Sequence, residues 1–362
     1  MKKFFLLAAA AVVAFASCSK NDQPEQREAA IAFSSYTGRA ITKADAGSFI
    51  GKGTTELLSG SKFAVWAYAT GANAFDGTNT SNVFMNNVEV TYAGGGYNDE
   101  TKYSYSPLRY WPNDEANNKL SFFAVYPYGA TGLTAPTNGW GAYTFTAQTA
   151  PASMVDFLFS EVAKDQTYSS TNSGKKGVVN MKFHHALSMV KFKVNTDADY
   201  TNSDPTKSTV ITLKSIKVAA VNTVGTFTPA IASPFGAWSA QGTPAEFTVF
   251  SGSQALNTTA AFLPTGTEAD DAFLMVPQTL SNDVKVTVVY TVKTGSDAEI
   301  ENTATIVLNT AKDASDNAIT EWAMNQNTVY TFTVGLKPIL FTAEVTKDWD
   351  DETVSGISIP TE

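Results

Sequence analysis

The apolar residues of this chain fall in short runs closed by Gly, Pro, Asn or Asp, a spacing that suits strands and little else. Residues 63–68 form one run, and 82–92 another that stops at Gly94, Gly95 and Gly96. Residues 103–110 lead into Trp111 and Pro112, and a turn rich in Asn and Asp precedes 120–126. Residues 143–147 and 157–159 follow. The same style returns at 210–221, 225–227, 246–250, 260–263, 272–276, 284–292, 303–308, 330–334 and 339–345. An α/β fold would need helices of about ten residues or more between strands. The best helical candidates, 156–163 and 318–324, are short, and charged residues make up only 16% of the chain. The expectation is an all-β chain of two tandem antiparallel β-sandwich domains. Residues 180–194 are the longest ordered-looking stretch of the first half, and the polar stretch 195–208 follows. That composition shift sets the expected domains at 31–195 and 205–362.

The start of the chain reads as an address. Lys2 and Lys3 precede an apolar run from Phe4 to Ala16, then Ser17 and Cys18, which describes an export signal over residues 1–17. The run is shorter than the roughly 20 residues that span a bilayer. Cys18 behind two small residues looks like a bacterial lipobox, where the thiol takes a lipid and becomes the mature N-terminus. Phe15 stands where an aliphatic residue is commoner, and an ordinary signal peptide that happens to hold a cysteine is the alternative. Residues 18–30, polar and containing Pro24, form a tether. Ile31, Phe33, Ser35 and Thr37 then alternate with Ala32, Ser34 and Tyr36 as a strand that ends at Gly38, shortly before Arg39 and Lys43.

Cys18 is the only cysteine, so no internal disulfide can form and apolar cores must supply stability. Losing Lys2 and Lys3 takes the formal net charge from −9 to −11. Such a surface repels phosphate backbones, which argues against nucleic acid as a partner. No later apolar run reaches membrane-spanning length, so anchoring would be by lipid alone.

Catalytic and metal chemistry find little purchase. His184 and His185 are the only histidines, and neighbours in a strand point to opposite faces, so they cannot readily share one ion or one site. One of them is expected to be half-buried and hydrogen-bonded. No Gly-x-Ser-x-Gly elbow is present, and Gly94-Gly95-Gly96 lacks the Gly-Lys-Ser/Thr ending of a phosphate loop. A glycosidase needs carboxylates facing each other at about 5–9.5 Å. Asp114-Glu115, Asp270-Asp271 and Asp350-Asp351 are sequence neighbours on turns, and solvated loop charge is the expected role. Trp66, Tyr68, Tyr110, Trp111, Tyr126, Tyr128, Trp140 and Trp238 could build a sugar platform, but core packing suits them better. No cofactor, metal site or enzymatic activity is expected.

Several segments in order resemble the fimbrillin family of Bacteroidetes, the subunits of protease-assembled (type V) pili. They are Tyr110-Trp-Pro112 followed by 120–127, the 181–192 segment, 273–278, Trp322 with 330–334, and 341–349. The lipobox start, the tether and Ile31-Ala-Phe33 fit as well. Relatives often carry Gly in the turn after Trp322, where this chain has Asn325 and Asn327. Asn tolerates the left-handed conformation, so the turn can survive.

The resemblance implies transthyretin-like sandwiches and a lipoprotein precursor at the outer membrane. It implies that cleavage after a basic residue removes the first strand, and that another subunit's strand fills the vacated groove. On this sequence the removable strand is about 31–39, with Ile31 and Phe33 filling the groove and Tyr36 beside them. The cut would follow Arg39 or Lys43, whose alternative reading is ordinary loop charge. The candidate donor is the tail with Val354, Ile357 and Ile359; alternatively 339–345 is a resident edge strand and the tail is frayed. A tip subunit needs the groove alone, whereas a stalk subunit needs groove and donor. Implied partners are other pilin subunits, a trypsin-like protease, and glycans or proteins of host or bacterial surfaces. The competing reading is a monomeric outer-membrane surface lipoprotein that binds glycans.

Overall fold

Residues 120–126 read as an unbroken apolar run because their strand is buried on both faces. Leu120, Phe122, Ala124 and Tyr126 enter one core, and Phe123 and Val125 enter another. The neighbouring strand divides the same way, with Phe63, Val65 and Ala67 on one side and Ala64, Trp66 and Tyr68 on the other. The computed structural model describes residues 26–37, 57–96, 98–266, 271–313, 315–336, 339–347 and 359–360. Among them the fold is all-β, and the only helices are three-residue 3-10 turns. The two helical candidates are extended instead, holding the strands Leu158–Ser160 and Glu321–Trp322.

The first sheet runs, neighbour to neighbour, through Ala32–Thr37, Val178–His185, Leu158–Ser160, Lys119–Tyr126, Lys62–Gly71, Val83–Tyr92 and Tyr103–Ser104. It curls until its two outer strands meet, where Ser35 hydrogen-bonds Tyr103. The curled interior holds Ile31, Phe33, Phe63, Trp111, Phe122 and Phe183.

A long hairpin, Thr209–Pro229 and Gly236–Ala255, covers the outer face of this sheet. Its far end pairs with Tyr143–Thr146 and sets Phe227 against Phe159, ring centroids 4.5 Å apart. Its base pairs with Lys285–Thr294 and faces a second sheet. That sheet contains Ser188–Thr196, Gln326–Val334 and Leu340–Lys347, where Phe332 stacks on Phe341 at 4.9 Å. One core therefore runs from the outside of the first sheet through to the second. Register shifts near Val218–Val221, with Ala220 at φ 61, let the hairpin bend between the two.

Two features differ from the sequence reading. The chain changes sheets between His185 and Ser188, not in the polar 195–205 stretch, because Ser188–Thr196 pairs with Gln326–Val334, Ala272–Met275 and Ala261–Phe262. The runs 210–221 and 225–227 are a single strand. Gly225 sits there because a Cβ would lie 2.7 Å from Val276 and 2.8 Å from Trp238, a close approach rather than a turn. Most pairings are antiparallel, as expected, but Ala32–Thr37 lies parallel to Val178–His185 and Ser188–Thr196 parallel to Gln326–Val334.

Candidate functional site

The parallel pairing of Ala32–Thr37 decides its character. Ala32 lies opposite Val178 and Thr37 opposite Phe183. Parallel neighbours cannot be joined by a tight turn, and this neighbour comes from far along the chain. A cut after Thr37 would leave the strand held by non-covalent contacts alone.

Those contacts alternate as a strand dictates. Ile31 and Phe33 are each 1% exposed, and Phe33 meets Tyr105 and Phe122 edge-on at 5.4 and 6.0 Å. Burying each contributes about 1.5–3 kcal/mol. Ser35 and Thr37 continue the same inward face and are fully buried, while Tyr36 points the other way and is half-buried. Before the strand, Gln26–Ala30 pairs antiparallel with Tyr110–Pro112, so the chain crosses between two sheets at Ile31. At that crossing the Ile31 N–H donates to the Arg109 carbonyl at 2.8 Å. The Ala32 N–H donates to the Gly177 carbonyl at 3.0 Å, an oxygen that also accepts the Trp111 indole N–H. The Tyr105 phenol donates to the Ile31 carbonyl at 2.8 Å, and burial pushes its pKa up, which keeps it a neutral donor.

Residues 42–349 match the fimbrillin-like family. The chain belongs to that family. Over 215 residues it is 28% identical to fimbrium subunit Fim1C of Phocaeicola vulgatus, a stretch covering 54% of this chain. The chain spans about half the length of that curated relative, 52%. A fimbrial protein from Bacteroides vulgatus has a similar fold at 20% identity, with a TM-score of 0.56 over 88% of this chain and 99% of its own. A Bacteroides uniformis protein assigned to cell adhesion is similar at 14% identity, with a TM-score of 0.51 over 89% and 100%.

Of the sequence-predicted site residues of this fimbrillin-like chain, Phe33 and Tyr36 lie on the edge strand and Ile31 immediately precedes it, with Ile31 and Phe33 in the same core. Cys18, Arg39, Lys43, Val354 and Ile357 lie outside the described residues. Ile359 pairs with Phe341 on the outer edge of Leu340–Lys347, a resident strand of the second sheet. The sequence reading passed over Tyr103 and Tyr105, whose spacing of two puts both phenols on one side of an extended segment.

The remaining polar groups serve the fold. His185 is buried with Nδ1 at 3.1 Å from Asp156, and His184 on the opposite face meets Glu161 at 2.9 Å and stacks on Phe235. Asp114 accepts the Asn117 side-chain amide at 2.8 Å and the backbone N–H groups of Asn117 and Ala116, which holds its carboxyl below the usual range. Asp271 departs from the expected loop charge, since it is fully buried and accepts the Thr265 and Gly266 amides. Among the described residues no three metal-ligating side chains converge. Trp66, Tyr68, Trp111 and Tyr126 are buried, Tyr110, Trp140 and Trp238 are half-buried, and Tyr128 departs from a core role at 36% exposure.

Proposed function

We propose that this fimbrillin-like chain is a non-enzymatic structural subunit or tip adhesin of a cell-surface pilus, assembled by strand exchange. In this reading Cys18 carries the lipid of an outer-membrane precursor. A trypsin-like protease cuts after Arg39 or Lys43, and the segment ending at Thr37 leaves. The observation that carries the reading is the parallel edge strand itself, with Ile31 and Phe33 buried against residues distant in sequence. Its departure would expose the N–H and C=O groups of Val178–His185 above an apolar trough, a template for another subunit's strand. In place, it shields that edge from premature pairing. Val354, Ile357 and Ile359 are the candidate donor toward a neighbouring subunit, and glycans or proteins of host or bacterial surfaces are the targets of an adhesin. Limited trypsin treatment of the purified precursor, followed by N-terminal mapping and electron microscopy, tests this. Filaments of protein starting after Arg39 or Lys43 are expected; an uncut, monomeric product would contradict it.

A monomeric surface lipoprotein that binds glycans is the second reading. Its support is a cleft of about 530 Å³ beside the half-buried Trp238, with Gln241, Gln278 and Glu321 in its lining. A mobility shift in polysaccharide gels without polymer formation would favour it.

A further inference from the structure

Two tyrosines stand where the edge strand would otherwise have a second neighbouring strand. The Ala32 amide bonds toward Gly177, so by parallel geometry the amides at 32, 34 and 36 serve the pairing with Val178–His185. The backbone groups of Ile31 and Ser35 face the opposite way, toward the far end of the curled sheet. There the Tyr105 phenol donates to the Ile31 carbonyl at 2.8 Å and accepts the Arg109 N–H at 3.2 Å. The Ser35 N–H donates to the Tyr103 phenol at 3.0 Å, and the Ser35 hydroxyl shares a second bond with that phenol at 2.8 Å.

Both tyrosines are held in place. Tyr103 stacks on Tyr92 at 4.8 Å and meets Phe63 edge-on, while the Tyr105 ring lies against Phe33. Together they contact a carbonyl at one position and an amide with its hydroxyl four positions later. Thr37 is the exception on this face. It is wholly buried, and its Oγ1 has no hydrogen-bond partner among the described residues. A buried hydroxyl without a partner carries a desolvation cost that an apolar residue of the same shape avoids.

We infer that the groove reads its occupant through Tyr103 and Tyr105. It takes an extended segment running parallel to Val178–His185, with a branched aliphatic residue in the place of Ile31 and an aromatic one in that of Phe33. A hydroxyl residue belongs at Ser35, a β-branched apolar residue at Thr37, and no proline at positions 32, 34 and 36. This deepens the strand-exchange reading and rests on it. The resident strand satisfies the pattern everywhere but Thr37, so an incoming strand with Val there displaces it. The chain's own tail fits less well: Ile357, Ile359 and Thr361 match the spacing of Ile31, Phe33 and Ser35, but Pro360 then falls at position 34 without an amide. The groove thus selects a strand other than this tail, and the tail as a donor would serve a neighbouring subunit whose groove differs from this one.

The test uses the full chain with a site-specific protease sequence replacing residues 44–49, folded and then nicked. Fluorescent peptides of sequence 26–37 compete for the groove, read by anisotropy. Ser35→Ala should weaken peptide binding about fivefold and Thr37→Val strengthen it about fivefold, each near 1 kcal/mol. Ser34→Pro should abolish binding. In the Tyr103→Phe protein the Ser35→Ala penalty should shrink below about twofold. The peptide series on the unsubstituted protein decides even where that variant does not fold. Equal binding of all four peptides would overturn the pattern while leaving strand exchange intact. Failure of every peptide to enter, with the resident segment still bound after nicking, would overturn strand exchange as well.

Discussion

Phe33 lies edge-on against Phe122 with ring centroids 6.0 Å apart, so a residue near the start of the chain completes a core built from its middle. The two aromatic rings belong to strands that are not neighbours in the sheet, and they meet across the curled interior. A strand held this way is a lodger in the core rather than a part of its frame.

Phe33→Ala should therefore cost about 3–5 kcal/mol, the usual loss for a buried phenylalanine. Urea unfolding of the purified precursor measures it. A loss below about 1 kcal/mol would show that the strand is not packed as described.

Replacing Arg39 and Lys43 together by Ala should leave the fold unchanged and block conversion of the precursor. Immunoblots of surface fractions should show the unprocessed band and no polymer ladder. Normal ladders from the double variant would remove both residues from the processing step.

Gly225→Ala should destabilise the chain by about 1–3 kcal/mol, because the added methyl collides with Val276 and the Trp238 ring. The damage should spread to both sheets, since the long hairpin serves both. Near-ultraviolet circular dichroism with urea unfolding checks this; an unchanged midpoint would contradict the shared core.

Alkali should unfold the protein steeply. Burial pushes the phenols of Tyr68, Tyr143 and Tyr330 above their ordinary value, and that of Tyr105 in the same direction. A raised folded pKa means the native state holds its protons more tightly than the unfolded chain. Stability is then full below the unfolded value of about 10 and falls as pH rises beyond it. The urea midpoint should be flat from neutral pH to about 10 and drop above, and a flat profile to pH 12 would contradict the burial of these hydroxyls.

The strands were legible in sequence because turn residues bracket them and alternation marks their faces. The edge strand could be read from Ile31, Phe33, Ser35 and Thr37 alone. What the sequence hid follows from residues with two physical meanings. Asn222, Thr223 and Gly225 look like a turn, yet Thr223 is buried with its hydroxyl on the Thr243 carbonyl, and Gly225 makes room for Trp238. Asp271 looks like loop charge and is instead a buried acceptor for two backbone amides. The parallel register of Ala32–Thr37 leaves no local mark, because side-chain alternation is the same for either strand direction. For the same reason Tyr103 and Tyr105 gave no sign of their partners, which lie at the far edge of a sheet whose curl only the packing determines.

Strand exchange is tested at the N-terminus of the surface-assembled protein, read by mass spectrometry. The expected first residue lies just after Arg39 or Lys43, with the segment ending at Thr37 gone. A polymer whose subunits still begin at Cys18 would contradict it.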